Sequence, residues 1–150
     1  MSDRYEQLKL EHQLCFTIYA TSREITKVYK PLLDELNVTY PQYLALLVLW
    51  EEEEVSVKQM GERLYLDSGT LTPMLKRMEQ QGLLTRQRSL EDERVVTVRL
   101  TEEGKQLKDK ACHIPDAVFS MSNQSPQQLS HLKQTLNDLL AALHTYNSAK

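Results

Sequence analysis

The sequence predicts a mainly α-helical subunit with a small β-wing, and three observations carry that prediction. Four glycines and five prolines in 150 residues leave few chain breakers. Most apolar residues recur at steps of three and four, the helical period, rather than alternating. One stretch departs from this: "LLTRQR" and "VVTVRL", rich in leucine and β-branched residues, flank the polar loop "SLEDE" between residues 83 and 100. Two short helical patterns precede these strands within residues 56–81. The order is helix, turn, helix, wing, a winged helix-turn-helix.

The elements follow in order. Leu14, Cys15, Ile18, Ser22, Ile25, Tyr29, Leu32 and Leu36 form a narrow apolar stripe. Pro31 should kink this helix or divide it, because proline frees the carbonyl of Lys27. Asn37 tolerates the left-handed backbone of a helix end. Thr39 caps the next helix, with Pro41 in its first turn. The centre of that helix, "PQYLALLVLWEEE", is nearly all apolar, which predicts a buried core helix packed through Leu44–Leu49 and Trp50. Ser56 caps "VKQMGERLY", with Met60 and Leu64 inward. Asp67-Ser68 opens a second helix that stops at Gly82, with Leu71, Leu75 and Met78 inward. Its outward face shows Ser68, Thr70, Thr72, Lys76, Arg77 and Gln80. Pro73 is tolerated if the helix effectively begins near Thr70–Thr72 and costs a hydrogen bond otherwise. After the wing, Thr101 caps a helix running towards Pro115, "PDAVFSMS" forms a further piece, and Ser125-Pro126 starts the last helix. Leu129, Leu132, Leu136, Leu139 and Leu143 give that helix a dimer-type seam, for which an intramolecular bundle is the alternative.

Composition bounds the function. With 41% hydrophobic and 26% charged residues the chain reads as one globular subunit, residues 1–150. The organisation expected is a DNA-binding lobe over 38–100, with 1–37 and 101–150 as dimerisation helices. No apolar run approaches membrane-spanning length, and "MSDRYEQLKLEHQ" is too polar for a signal peptide, so a cytoplasmic protein is expected. Cys15 and Cys112 are too few for a disulfide framework. His12, His113, His131 and His144 lack metal-ligand spacing, and no cofactor is indicated. A net charge of −3 argues against nucleic acid, but the distribution does not: residues 58–88 hold six basic and three acidic side chains.

The helix after Asp67 presents groups suited to a DNA groove. Ser68, Thr70 and the first amides can meet phosphate or base edges, and Lys76 and Arg77 can reach a phosphate or a guanine. Arg94 at the wing tip can enter the minor groove, with Asp92 pairing to fix its direction. Solvated surface charge is the ordinary alternative for each. Cys15 has two readings: a small buried hydrophobe, or a reactive thiol. Tyr19 lies on its helix face, and Tyr29 nearly so. On one straight helix, however, Tyr29 is about 21 Å away, reachable only if the helix folds back or an antiparallel partner supplies it. Tyr40 in the next turn can join it. Phenolic hydroxyls donate to a thiolate and stabilise it, which suits attack on an apolar peroxide.

"HQLCFTIYATSRE", "YKPLLDELNVTYPQYLALLVLWE", "MGERLYLDSGTLTPMLKRMEQQGL" and the wing pattern R-S-x-E-D-E-R resemble the MarR family of winged-helix regulators, and within it the organic-hydroperoxide-sensing repressors (OhrR type). The resemblance spans nearly the whole chain. It implies a homodimer on pseudo-palindromic double-stranded operator DNA that represses a peroxide-detoxification gene and is released when organic hydroperoxide oxidises Cys15. Carried over, Tyr29 and Tyr40 are the hydrogen-bonding tyrosines, with Tyr19 nearby. The DNA-reading positions are Asp67, Ser68, Thr70, Arg77, Arg86 and Arg94, and Pro73 matches the family's recognition helix. In two-cysteine relatives a resolving cysteine follows a "V-F" pair, where this chain has Ser120. Either the regulator uses one cysteine with an external low-molecular-weight thiol, or serine has replaced a cysteine. Cys112 lies about two helical turns earlier and does not match that position. Two rivals remain: a repressor released by a non-covalent aromatic ligand, and a thiol peroxidase using Cys15.

Overall fold

The computed structural model describes residues 4–149. Its contacts divide into two units, Met1–Ile114 and Pro115–Lys150.

In the first unit, two short 3-10 turns lead into α1 (Leu14–Asp34), followed by α2 (Tyr40–Glu52), β1 (Glu54–Ser56), α3 (Val57–Leu64), α4 (Ser68–Gln80), β2 (Leu84–Arg88), β3 (Val96–Leu100) and α5 (Glu102–Ala111). The expected capping holds where its signals are local. Thr39 and Ser56 each close a capping box with a glutamine three residues on, Gln42 and Gln59. Asn37 adopts φ 58°, ending the turn after α1.

Pro31 does not divide α1, which is one helix from Leu14 to Asp34. Lys27 and Pro31 are both exposed, so water can satisfy the freed carbonyl. Pro73 likewise lies inside α4, which begins at Ser68 rather than near Thr70–Thr72; the carbonyl it leaves free belongs to exposed Gly69.

The apolar stripe of α1 is covered only in its second half. Tyr29 and Leu33 are buried, as is Leu36 in the turn beyond the helix, whereas Leu14, Phe16 and Ile18 are exposed. The core centres on α2, α3, α4 and the sheet, where Leu46, Leu49, Met60, Leu71, Leu75, Met78, Leu84 and Val98 lose essentially all solvent contact. Each such side chain contributes roughly 1.5–3 kcal/mol. The expectation of a wholly buried α2 centre fails at Leu47, which is exposed. Trp50 is half-buried and its Nε1–H donates to the Gly104 carbonyl at 2.9 Å.

The sheet has three antiparallel strands in the order β1-β3-β2, one more than the two expected. Val98 on β3 faces Val55 on one side and Arg86 on the other. β1 takes only Glu54 from the acidic run 51–54, followed by Val55 and Ser56, a segment too short to read as a strand from sequence. The edge of β3 supplies its pairing.

In the α3–α4 turn Tyr65 takes the left-handed conformation at φ 58°. Gly61 is required there, because a Cβ would lie 2.5 Å from the Leu66 carbonyl oxygen. α4 ends at Gln80, and Gly82 turns the chain away from it at φ 81°. Thr101 braces that end: its hydroxyl donates to the Gly82 carbonyl at 2.6 Å while accepting from the Gly104 N–H at 3.1 Å.

α6 (Ile114–Phe119) spans the junction of the two units. The second unit is mostly α7 (Pro126–Ser148), opened by a Ser125–Gln128 capping box. α7 has no buried residue, and Leu132, Leu136, Leu139 and Leu143 stand exposed. No helix among the described residues is long and apolar enough to cross a membrane.

Candidate DNA-binding surface and thiol site

The α4 start and the wing are built differently. Asp67 is the N-cap of α4, its Oδ1 accepting from the Thr70 N–H at 2.7 Å. Its carboxylate therefore has a local task, and fixes where Ser68 and Thr70 stand. Ser68, Thr70, Lys76 and Arg77 are exposed, with no side-chain hydrogen bond or ion pair among the described residues. Among the described residues nothing competes for these side chains, which leaves them available to phosphates or base edges.

Arg86 differs from that set. Its backbone N–H donates to Glu79 Oε2 at 2.9 Å and its Nε to Glu79 Oε1 at 3.3 Å. These bonds hold the Glu79 carboxyl below the usual range, the backbone donor first. The backbone N–H and Nε of Arg86 thus fasten β2 to α4 through Glu79.

At the wing, Ser89 Oγ accepts from the Glu91 and Asp92 N–H groups at 3.2 and 3.4 Å, shaping the turn. Arg88 donates to the Glu93 carbonyl at 2.9 Å. Asp92 receives the Arg94 backbone N–H at 3.0 Å, Nε at 3.1 Å and Nη2 at 3.2 Å. The Arg94 guanidinium, and then its backbone N–H, hold the Asp92 carboxyl below its usual range. Arg94 is 91% exposed yet fixed in direction, the strut expected from the D-x-R spacing.

Cys15 is exposed at the start of α1, so it is not a core hydrophobe of this subunit. Tyr19, one turn on, is also exposed, with the Arg23 guanidinium 5.6 Å from its ring centre. Tyr29 and Tyr40 meet, ring centres 4.9 Å apart. Tyr43 completes a cluster, at 5.7 Å from Tyr29 and 6.3 Å from Tyr40. It escaped the sequence reading although its i,i+3 spacing from Tyr40 is a same-face signal. Burial, then the neighbouring Tyr40 and Tyr43, push the Tyr29 hydroxyl up to about 12. Burial raises Tyr40 and Tyr43 as well. All three phenols thus keep their protons at neutral pH and can donate.

Because α1 is continuous, Cys15 and Tyr29 stay about 21 Å apart within the chain. Cys112 is exposed, its Sγ–H directed at the Lys108 carbonyl at 3.3 Å, and Ser120 is exposed with its hydroxyl on the Ala117 carbonyl at 2.9 Å. Among the described residues no group of three or more His, Cys, Asp or Glu side chains could hold a metal ion.

Comparison with known proteins agrees with this geometry. The family description "transcriptional regulator SarA/Rot" matches residues 27–111. The organic hydroperoxide resistance transcriptional regulator of Bacillus subtilis is 63% identical over 147 residues, covering 98% of this chain and all of that protein. AbfR, solved from Staphylococcus epidermidis, is similar in structure. Its reduced form bound to DNA superposes with TM-score 0.82 at 36% identity, over 96% of this chain and 99% of that one. Its disulfide form gives TM-score 0.61 at 41% identity, over 91% and 96%. The chain belongs to the MarR family of winged-helix transcriptional regulators, in the branch of the organic hydroperoxide resistance regulators.

Proposed function

We propose that this chain is a dimeric transcriptional repressor that releases operator DNA when an organic hydroperoxide oxidises Cys15, derepressing a gene for peroxide detoxification in the cytoplasm. The observation that carries the reading is an exposed thiol on α1 in a chain 63% identical to an organic hydroperoxide resistance regulator. The subunit is read as one MarR-type unit, with 38–100 reading DNA and 1–37 and 101–150 dimerising. The exposed apolar residues of α1 and α7 support the second role.

On DNA, Ser68, Thr70, Lys76 and Arg77 make contacts in and beside the major groove, and Arg94 enters the minor groove. Asp67, Asp92 and Arg86 act through these neighbours: the first caps the helix, the second aims Arg94, the third fixes the wing to α4. The two-fold dimer suits a pseudo-palindromic site.

For sensing, the partner subunit brings its Tyr29 and Tyr40 to Cys15, an arrangement supported by the unbroken run of α1 between the two ends. Their neutral hydroxyls donate to the thiolate, and Tyr19 lines the approach. The sulfur attacks one peroxide oxygen, an S–O bond forms as the O–O bond breaks, and the alcohol leaves with the proton. Sulfur loses two electrons and the peroxide gains them, giving a sulfenic acid. With serine at position 120, a low-molecular-weight thiol locks the oxidised state, condensing with the sulfenic acid to a mixed disulfide and water. Cys112 has no part in this scheme.

The test is fluorescence anisotropy on labelled duplex DNA from upstream of the chain's own gene. Reduced wild type and Cys15→Ser should both bind. Cumene hydroperoxide should release the wild type only. A Cys15→Ser protein that releases DNA as readily overturns the sensor. One specific feature favours a second reading: a cleft of about 470 Å³ lined by Arg23, Lys27, Lys30 and Tyr40 would suit a small anionic aromatic ligand. Release of both proteins by such a ligand, without peroxide, would support it. The thiol peroxidase reading finds no support among relatives, which are named as transcriptional regulators.

A further inference from the structure

The recognition helix is held by packing through most of its length, but its last turn meets the α1–α2 turn through amides. Gln42 is the one buried polar residue among the described residues. Both ends of its side chain are used: Oε1 accepts from the Thr39 N–H at 3.0 Å, and Nε2 donates to Gln81 Oε1 at 3.4 Å. Gln81, just past α4, is used in the same way, its Nε2 donating to the Asn37 carbonyl at 3.1 Å. Asn37 and Thr39 are two residues apart, so the bonds close a ring: Asn37, Thr39, Gln42, Gln81 and back. Beside it lies a cleft of about 310 Å³ bordered by Leu36, Asn37, Gln81 and Leu107, so apolar packing does not fill this junction.

We propose that Gln42 and Gln81 are the positioning residues that couple the tyrosine cluster to the recognition helix, through this closed ring of amide hydrogen bonds. The proposal rests on the peroxide-sensing reading above and adds its transmission step. Tyr40 sits between Thr39 and Gln42, and its ring contacts Tyr29. A displacement of Tyr40 moves the α2 N-terminus, and with it the Gln42 amide. Gln81 follows, because its acceptor and donor are both engaged by the turn. A packed apolar junction would absorb a small shift by sliding; directional bonds at both ends of two amides transmit it.

The measured quantity is the coupling ratio, the Kd for the same duplex after cumene hydroperoxide divided by the Kd before. Gln81 is exposed, so Gln81→Met leaves no buried unpaired group. We expect Gln81→Met to lower the ratio by roughly fivefold to tenfold, within the usual size of allosteric coupling, with the thermal midpoint nearly unchanged. Gln81→Glu, which keeps the acceptor for Gln42 but loses the donor to Asn37, should do the same. Gln42→Met should match either, and the double variant should add nothing further, because one ring is already open. A residue that merely stabilised the lobe would shift both Kd values together and leave the ratio intact. An unchanged ratio in Gln81→Met, or additive effects in the double variant, overturns the proposal. A wild type that peroxide does not release removes the sensing reading itself, and the coupling falls with it.

Discussion

Replacing Arg94 by alanine separates a wing that enters DNA from one that only decorates the surface. The guanidinium is 91% exposed and its anchor, Asp92, lies within the same turn, so the substitution removes charge without touching the core. In a dimer two cations leave the interface. Each neutralised contact contributes about 0.9 to the slope of log K against log salt, so the slope should become shallower by about 1.8. Between 50 and 200 mM salt, wild type should then lose roughly tenfold more affinity than the variant. The assay is an anisotropy titration at four salt concentrations, with folding checked by thermal melting. Asp92→Ala supplies the contrast. Removing a carboxylate beside DNA should tighten binding by charge alone, whereas losing the strut that aims Arg94 should weaken it; weaker binding is expected. An Arg94→Ala protein with the affinity and slope of wild type would refute the reasoning.

Two predictions concern the fold that carries these groups. Tyr29 has its hydroxyl raised to about 12 by burial, against 10.0 when unfolded. Its contribution is complete below pH 10 and is lost as pH rises towards 12, by about 2–3 kcal/mol in total. Denaturant titrations from pH 8 to 12 should show a shallower alkaline decline for Tyr29→Phe than for wild type, and parallel declines would contradict the burial argument. Gly61→Ala places a Cβ 2.5 Å from the Leu66 carbonyl oxygen. It should destabilise the lobe by about 1–3 kcal/mol, read as a lower thermal midpoint, and should weaken DNA binding because the turn sets the pose of α4.

What the sequence made legible was local. Thr39, Ser56, Asp67, Thr101 and Ser125 cap helices because a cap needs only a side chain and an amide two or three residues on. The Asp92–Arg94 strut was readable for the same reason. What escaped depended on partners distant in sequence. β1 exists because β3 offers an edge to three residues, Glu54–Ser56, too few to announce a strand by themselves. Arg86 enters only as a DNA-reading position implied by resemblance, and nothing local announces that Glu79, seven residues away, turns towards it. Pro31 and Pro73 are the converse case: each stands inside a continuous helix, and the carbonyl it frees, of Lys27 or Gly69, belongs to an exposed residue.

The separation of Cys15 from the tyrosines also argues about control. A sensor complete within one chain could be oxidised without the dimer registering it. Here the thiol stands on the uncovered half of α1, and the phenols close around one another on the covered half. If the partner completes the site, oxidation adds an oxygen or a bulkier adduct at a contact between subunits, and the strain acts on their relative position. Two recognition helices must match half-sites about one duplex turn apart, so their spacing tolerates little change. A site shared between chains therefore converts a one-atom modification into a geometry that DNA cannot accommodate, without any change to the groups that touch DNA.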